Sequence, residues 1–406
     1  MSEWKDFNLG SIAEITSSKR IFYSEYVEKG VPFYRSKEII DLFNRRKIHT
    51  ELYISQERYN QIKEKFGVPK SGDILLTSVG SLGIPYLVKD EDNFYFKDGN
   101  LTWFRNLNVQ FVNPNFLFNW INSPIGRKKL DEISIGSTQS ALTISGLKSI
   151  EISLPDIQTQ KKISQLLSSL DDKIDLLNRQ NRTLEQMAET LFRQWFIEDA
   201  KEEWTYVSLE DFVSIYNGVS YKSSDLNESK TAMITLKSFA RNGGFRLDGF
   251  KEYSGKYKDH HIVREGDLVV AHTDITQDAA LIGNPILVIG KPEYDTLVIS
   301  MDLVKIETNY NWLSTEFLYF LMRTRTFKEH CVGYSNGSTV LHLSKDAVPS
   351  FEFLLPPEKL ISEFTSMVRP MIKKINQNIS HSRNLEQQRD TLLPKLMSGE
   401  VRIKMD

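Results

Sequence analysis

Two patterns of hydrophobic and polar residues alternate along the chain and divide it into four segments. In residues 1–156, short apolar runs are separated by glycine, proline and asparagine, which is typical of β-strands joined by turns. The clearest predicted strands are 72–77, 85–88 and 150–154. Helices are predicted at 115–122 and near 51–65. This segment is predicted to be an α+β globule, and residues 204–356 repeat its pattern.

Residues 157–203 have a sustained helical repeat. Apolar residues follow one another at alternating spacings of four and three, which is the a/d seam of a coiled coil. The seam consists of Ile163, Leu167, Leu170, Ile174, Leu177, Asn181, Leu184, Ala188, Leu191 and Trp195. A helix of about 40 residues spans about 60 Å, more than one globule needs to cover its core. We therefore predict a long spacer helix.

A second helical repeat occupies residues 357–406. Its apolar positions are Phe364, Val368, Met371, Ile375, Leu385 and Leu392. The polar residues Asn378, Ser382 and Arg389 also lie on this seam when it is extrapolated. The two helices are predicted to bury their seams against each other as an antiparallel coiled coil. Asn181 in the first seam either fixes the register of this pair or faces solvent where the seam drifts, and the sequence leaves both interpretations open.

The chain contains an internal duplication of about half its length. Trp4, Leu9, Ile12 and Ile15 recur as Trp204, Leu209, Phe212 and Ile215 at an offset of 200 residues. Near the ends of the two halves, 184–186 recurs as 385–387 at an offset of 201 residues. Two copies of one unit imply two copies of one surface. Such a protein suits a ligand with two-fold character, of which duplex DNA is the commonest example.

Composition describes an ordinary globular protein, with 40% hydrophobic and 26% charged residues. No apolar run reaches the roughly 20 residues that a membrane span needs, and the N-terminus lacks the pattern of a signal peptide. We therefore expect a cytoplasmic protein. The single cysteine, Cys331, excludes an internal disulfide and a cysteine-based zinc site.

The formal net charge of −2 argues only weakly against nucleic acid, because phosphates respond to local charge. Three basic patches occur in the two globular segments, at 45–47, at 127–129 and at Arg323, Arg325 and Lys328. Each is either a solvated surface or a phosphate-binding surface, and their presence in both copies favours DNA.

A loop that differs between the two copies is the first candidate DNA-contacting surface. Residues 77–82 of the first copy are replaced by the longer and more polar 271–280 in the second copy. A common framework that presents different loops is typical of a scaffold with two specificities. The candidates for contact with bases or phosphates are Ser78, Ser81, His272, Thr273, Asp274, Thr276 and Gln277.

Two further surfaces are candidates for the same reason. One follows an early predicted strand in each copy and comprises Arg35, Ser36, Lys37, Lys237, Ser238 and Arg241. The other is a Gly-Ser-Thr turn that occurs at 136–138 and again at 337–339 and comprises Ser137, Thr138, Gln139, Ser338 and Thr339. Arginine and lysine can bind guanine or phosphate, and hydroxyls with exposed backbone N–H groups suit phosphate oxygens.

The chain resembles a known family, the specificity subunits of type I restriction–modification systems. The resemblance covers the whole chain, in the order recognition domain, long helix, recognition domain, long helix. It is carried by the stretches 30–35, 154–163, 184–186 and 393–401, together with the paired Gly-Asp strand starts at 72–73 and 266–267. These stretches are individually weak, but their order and duplication are specific.

The resemblance implies two target recognition domains, each of which reads one half of a split DNA sequence. It implies that the helices set the gap and dock two methyltransferase subunits, and that motor-nuclease restriction subunits join through the methyltransferase. S-adenosylmethionine, ATP and Mg²⁺ would be bound by those partners and not by this chain. The sequence departs from the pattern of this family in one respect, because 158–163 matches its counterpart 359–364 only loosely. The two helices therefore need not bind their partners equally.

Catalytic motifs are incomplete in this sequence. The stretch 113–116 lacks the second proline of an amino-methyltransferase motif, and no glycine-rich cofactor loop precedes it. The triplet 259–261 has no second cluster of metal ligands, and there is no phosphate-binding loop for ATP. We predict a non-catalytic DNA-binding subunit without a metal site. The alternatives are a protein-binding scaffold with dimerising helices, and a stand-alone enzyme with an unrecognised site.

Overall fold

The computed structural model describes residues 4–46, 48–136, 140–240, 243–275, 278–337 and 339–403. The chain forms two compact units, one of residues 1–176 with 382–406 and one of residues 177–381. Each unit contains one globular α+β region together with one part of each of two long helices.

The first globular region is built from ten short strands and six α-helices among its described residues, with one short 3₁₀ helix at Tyr23–Glu25. In chain order these are β1 (Lys5–Asn8), α1 (Leu9–Ile12), β2 (Glu14–Thr16), β3 (Tyr26–Val27), β4 (Val31–Tyr34), α2 (Ser36–Phe43), β5 (Tyr53–Ile54), α3 (Gln56–Lys65), β6 (Ile74–Thr77), β7 (Pro85–Leu87), β8 (Tyr95–Phe96), β9 (Leu101–Arg105), α4 (Pro114–Asn122), α5 (Pro124–Glu132), α6 (Ile144–Ser149) and β10 (Glu151–Leu154).

Two four-stranded sheets form the body of this region. One has the strand order β2-β9-β6-β7 and is antiparallel throughout, whereas the other has the order β3-β5-β4-β8 and pairs β4 with β8 in parallel. All four residues of β6 are buried, as expected for a continuous apolar run at the centre of a sheet. A separate antiparallel pair, β1 with β10, joins the beginning of the region to its end.

The first long helix, α7 (Ile157–Arg193), follows directly. The second globular region then contains β11 (Thr205–Ser208), β12 (Val213–Asn217), β13 (Thr231–Ile234), β14 (Lys251–Glu252), β15 (Ile262–Val263), β16 (Leu268–Ala271), β17 (Thr273–Asp274), β18 (Pro285–Leu287), β19 (Thr296–Ile299), β20 (Leu303–Thr308), α8 (Thr315–Met322), α9 (Arg325–Gly333), β21 (Ser335–Asn336), β22 (Leu341–Leu343) and β23 (Glu352–Leu355). The second long helix, α10 (Glu358–Ser398), closes the chain.

The second region repeats the architecture of the first. Its sheet β12-β20-β16-β18 has the strand order of β2-β9-β6-β7, and β13 pairs with β19 in parallel as β4 does with β8. The pair β11 with β23 corresponds to β1 with β10. This confirms the α+β fold and the duplication that the recurring residues predict.

The two long helices pack against each other in antiparallel orientation within each unit. In the first unit, Asp171 of α7 accepts a hydrogen bond from Arg389 of α10 at 2.8 Å, while Ile163 shares a core with Met397. In the second unit, the rings of Phe192 and Phe364 lie 5.6 Å apart. Further along the same two helices, Asn378 donates to Asn181 at 2.9 Å. Asn181 therefore pairs across the helices and does not simply face solvent.

Most seam positions are at least half-buried. The buried members are Ile163, Leu167, Ile174, Leu177, Ala188, Phe364 and Val368, and the half-buried ones are Leu170, Asn181, Leu184, Leu191, Trp195, Met371, Ile375, Leu385 and Leu392. Near the end of α10 the seam departs from its extrapolated position, because Leu393, Leu396 and Met397 are buried there. An ideal helix has 3.6 residues per turn, so a heptad pattern drifts around a straight helix.

Several element ends differ from the sequence predictions. The helix predicted near 51–65 begins only at Gln56, because the residues before it form β5 in the sheet with β4. The long helix predicted to extend to 203 ends its α-helical part at Arg193 and continues as one π-helical turn, Gln194–Glu198. A ring cluster of Phe192, Phe196 and Phe317 packs at this turn.

Candidate nucleic-acid interface

In the first region, three loops meet at one edge of the two sheets. Because β4 and β8 are parallel, both strands end at this edge. The backbone N–H of Lys97, just after β8, donates to the carbonyl of Tyr34 at 2.9 Å. The next turn returns the chain to β9, and there the N–H of Ser78 donates to the carbonyl of Asn100 at 2.8 Å. The segments after β4, β8 and β6 therefore lie side by side.

The described residues on either side of the first Gly-Ser-Thr turn, Ile135 and Ala141, belong to the same edge. Ala141, just after the turn, forms antiparallel bridges with both Val79 and Ile135. The N–H of Leu142 donates to the carbonyl of Ser78 at 2.9 Å. Residues of the first two surfaces that the sequence singled out in the first copy thus converge with the described residues that flank the third, although these segments are separated by up to about one hundred residues along the chain.

The second region builds the same edge by the same hydrogen bonds. The N–H of Ser300 donates to the carbonyl of Ile234 at 3.0 Å, and the N–H of His272 donates to the carbonyl of Asp302 at 2.8 Å. The strands β17, β22 and β21 form a small sheet, which places Asn336 and Leu341, on either side of the second Gly-Ser-Thr turn, beside the beginning of the longer loop. The protein therefore carries two copies of one loop-lined edge.

Several predicted contact residues are accessible on these edges. Lys37, Ser81, Lys237 and Thr339 are exposed, while Arg35, Ser36 and His272 are half-buried. Lys37 and Lys237 are structurally equivalent, because each is the third residue after the carbonyl that accepts the edge hydrogen bond, Tyr34 or Ile234. An exposed lysine at the same place in both copies suits a phosphate group.

Four predicted contact residues are instead buried, and this corrects their assignment to a contact surface: Ser78, Ser238, Thr273 and Asp274. The hydroxyl of Ser78 bonds to that of Thr102 at 2.6 Å. The carboxylate of Asp274 accepts backbone N–H groups of Leu281 and Ile282 at 2.5 and 3.0 Å. A buried carboxylate needs such donors. Asp274 therefore holds the two ends of its loop together through these hydrogen bonds.

The remaining predicted contacts, Ser137, Thr138, Gln139, Arg241, Thr276, Gln277 and Ser338, lie outside the described residues.

Electrostatics distinguish two of the accessible residues. The guanidinium of Arg35 pairs with the buried Glu38 at 3.0 Å, and this hydrogen bond raises the pKa of Arg35. Burial lowers the pKa of His272, and the nearby His342 and Lys345 lower it further. At neutral pH His272 is therefore an uncharged imidazole, which can both donate and accept a hydrogen bond.

The basic patches predicted from the sequence are largely engaged in contacts within the protein. Arg127 bonds to Asn122 at 3.0 Å, and burial lowers its pKa. Lys328 donates to the carbonyl of Ile282 at 2.6 Å, and Arg323 pairs with Glu185 at 2.7 Å. Only Arg325 of that patch is highly exposed, and it pairs with Glu329 of its own helix.

Within the described ranges, no group of three or more His, Cys, Asp or Glu side chains is placed to hold a metal ion. The triplet Asp259–His261 forms a short 3₁₀ turn, in which His261 Nδ1 accepts the backbone N–H of Lys258 at 3.2 Å. Among the residues that the structure describes, none of the helices is long and apolar enough to cross a membrane.

A model of the family described as "Type I restriction modification DNA specificity domain" matches residues 1–186 and again residues 201–380. The chain belongs to this family. The two matches coincide with the two globular regions and with much of the helix that follows each of them.

Two similar curated proteins span nearly the whole chain. One is the type I restriction enzyme MjaIX specificity subunit of Methanocaldococcus jannaschii, 26% identical over 99% of this chain and 94% of that protein. Another is the type I restriction enzyme HindI specificity subunit of Haemophilus influenzae, 23% identical over 99% of this chain and 100% of that protein.

The fold is also that of a solved structure, the S subunit of a type I restriction-modification system from M. genitalium. The TM-score is 0.63 at 16% identity, and the match covers 100% of this chain and 97% of that chain.

The structure adds one segment of the specificity domains that sequence reasoning missed. It is the turn after β8, where Lys97 is exposed and Asp98 pairs with the exposed Arg20 at 2.8 Å. In the second domain, Met301 occupies the corresponding turn and is 55% exposed. The Asp98-Gly99 dipeptide is a turn signal, but only the strand pairing shows that this turn lies between the other loops.

Proposed function

We propose that this protein is the DNA-sequence specificity subunit of a type I restriction–modification complex, in which each specificity domain reads one half of a bipartite target. One observation carries the proposal beyond family membership. The same loop-lined edge is built twice from equivalent hydrogen bonds, while the loops that it presents differ.

The chemistry of the edges supports contact with duplex DNA. The exposed Lys37, Lys97 and Lys237 supply positive charge for phosphates, and the neutral His272 and the hydroxyl of Ser81 suit base edges. The loop after β6 is shorter than the loop after β16. Different lengths and side chains at equivalent places are expected to read different bases.

The proposed partners are two methyltransferase subunits, through which motor-nuclease restriction subunits join. The long helices are the proposed docking elements, because they keep large apolar side chains exposed: Leu166, Leu176, Met187 and Met367. We further propose that the chain is not itself catalytic, and that S-adenosylmethionine, ATP and Mg²⁺ act on the partner subunits.

Domain exchange tests the proposal. Replacing residues 1–156 by the matching domain of a relative with a different target should change one half-site and leave the other unchanged. The reciprocal exchange of 204–356 is the matched control and should change only the other half-site. Methylation mapping of DNA treated with the assembled complex gives the readout. If both half-sites change in either exchange, each domain does not read its half independently.

A further inference from the structure

Each specificity domain is tied to α7 by an arginine that reaches a pair of acidic residues one helical turn apart. In the first unit, Arg45 contacts the carboxylates of Asp171, at 3.5 Å, and of Asp175. It also donates to the backbone carbonyl of Asp171 at 3.1 Å. The acidic residues stand four apart, so they project from the same face of the helix.

The second unit contains the same arrangement with different residues. Arg323, at the end of α8, pairs with Glu185 of α7 at 2.7 Å and also contacts the carboxylate of Glu189. Its side chain is only 15% exposed. Burial lowers the pKa of Arg323, but Tyr319 and the two glutamates raise it by more, so the guanidinium stays charged. The two acidic pairs lie two heptads apart on α7.

Each arginine is linked to a candidate reading edge through one short segment of chain. Arg45 follows α2, whose other end carries Ser36 and Lys37. Eight helical residues span about 12 Å, so any rotation of this end is transmitted to the edge. Arg45 also has a φ of 57°, a conformation that a non-glycine residue keeps only where its surroundings hold it.

In the second unit the link runs through the chain next to the bridge between Phe239 and Phe245. Gly243 lies in the chain segment closed by the bridge between Phe239 and Phe245, just beyond Lys237. A Cβ at Gly243 would meet the guanidinium of Arg323 at 3.1 Å. A groove of about 950 Å³ opens beside this contact and is lined by Glu189, Gly243 and Arg323 among others. Arg323 thus lies close to Gly243 on one side and pairs with Glu185 and Glu189 of α7 on the other.

We propose that Arg45 and Arg323 are positioning residues for DNA recognition, each of which holds the reading edge of its own domain at a set angle on α7. This inference rests on the proposed function, because it concerns how a half-site is presented and not whether it is read. One added base pair moves a half-site by about 3.4 Å and, at 10–10.5 base pairs per turn, rotates it by about 35°. A reader held at a set angle therefore rejects a gap of the wrong length.

The test uses the complex assembled with its methyltransferase subunits and duplexes in which both half-sites are constant and the gap varies by one base pair. The wild-type complex should methylate one gap length. Arg45→Gln and Arg323→Gln should each reduce the preference for that gap by about tenfold, which corresponds to about 1.4 kcal/mol. Both half-sites should keep their base requirements.

Two control variants and one rescue variant separate an effect on the position of the reading edge from an effect of lost charge or of lost folding. Arg46→Gln and Arg325→Gln remove the same charge from exposed neighbours and should keep the wild-type preference. The exchanged pair Arg45→Asp with Asp175→Arg should restore it. Partly exposed ion pairs contribute little to stability, so Arg45→Gln should unfold at the wild-type temperature.

Three results would overturn the inference: a folded Arg45→Gln complex with unchanged gap preference, an equal loss of methylation at every gap length, or a loss of base discrimination within one half-site. Absence of sequence-specific methylation by the wild-type complex would instead overturn the proposed function itself. The two failures are thus distinguishable.

Discussion

At the scale of single residues, burial decides which polar groups can read DNA. Asp274 has a side chain that could bond to DNA bases, and it lies in the loop that differs between the copies. It is nevertheless fully buried. Its two backbone donors, Leu281 and Ile282, lie at the far end of the same loop. Ser78 plays a comparable interior role in the first copy, through Thr102. Exposed lysines such as Lys37 and Lys237 remain as the candidate contacts.

The role of Asp274 can be tested by Asp274→Ala. The change leaves two buried N–H groups without their acceptor, so the free energy of unfolding should fall by about 1–3 kcal/mol, as measured by urea denaturation. Methylation should lose its base requirement in the second half-site only. The exposed Asp278, changed to alanine in the same loop, is the control and should alter stability by less than about 0.5 kcal/mol. An Asp274→Ala protein with wild-type stability and specificity would show that the loop is held by other contacts.

At the scale of elements, the long helices combine apolar packing with one polar pair. Asn378 is buried and donates to Asn181 at 2.9 Å and to Gln180 at 3.4 Å. A buried amide pair adds little net stability but penalises every register that separates its two members. The pair therefore specifies alignment between α7 and α10 in the second unit.

Replacing the two asparagines should separate their effect on the stability of the protein from their effect on the register of α7 against α10. Asn378→Ala leaves Asn181 without its partner and should lower the free energy of unfolding by about 1–2 kcal/mol. The double change of both asparagines to leucine should match or exceed wild-type stability while admitting more than one register. Distances between spin labels placed on α7 and α10 within the second unit would report the registers. A single sharp distance in the double variant would mean that apolar packing alone sets the alignment, and Arg179→Ala serves as the exposed control.

At the scale of the whole molecule, duplication supplies two reading edges and two long helices in one chain. Each compact unit takes its helical part from both α7 and α10. A change in the length of one helix alone would therefore shift its seam against the other.

A matched insertion tests whether the helices set the gap. One heptad added after Leu177 in α7, together with one added before Ser382 in α10, keeps both seams in register and adds about 10 Å of helix. The unread gap should grow by about two or three base pairs, given a rise of about 3.4 Å per base pair. A heptad in α7 alone is the control and should reduce assembly. Methylation mapping that shows an active complex with an unchanged gap would mean that the helices only dock partners.

The sequence by itself determined the features that depend on local pattern or on repetition: the two copies, the two helical seams, the existence of β6 and β7, and the family. Periodicity is local, because 3.6 residues per helical turn and two per strand repeat follow from backbone geometry. The same residues recurring about 200 positions later reveal the duplication without any structure.

Only the tertiary structure decided which loops meet and which polar groups are accessible. The convergence of the segments near Lys37, Ser81 and Ala141 depends on hydrogen bonds between strands far apart in the chain. Whether Asn181 finds Asn378, or Arg45 finds Asp171, depends likewise on distant partners. A side chain's identity states what it can bind, but its neighbours determine whether it is buried, paired or free to meet DNA, and those neighbours are chosen by packing over the whole fold.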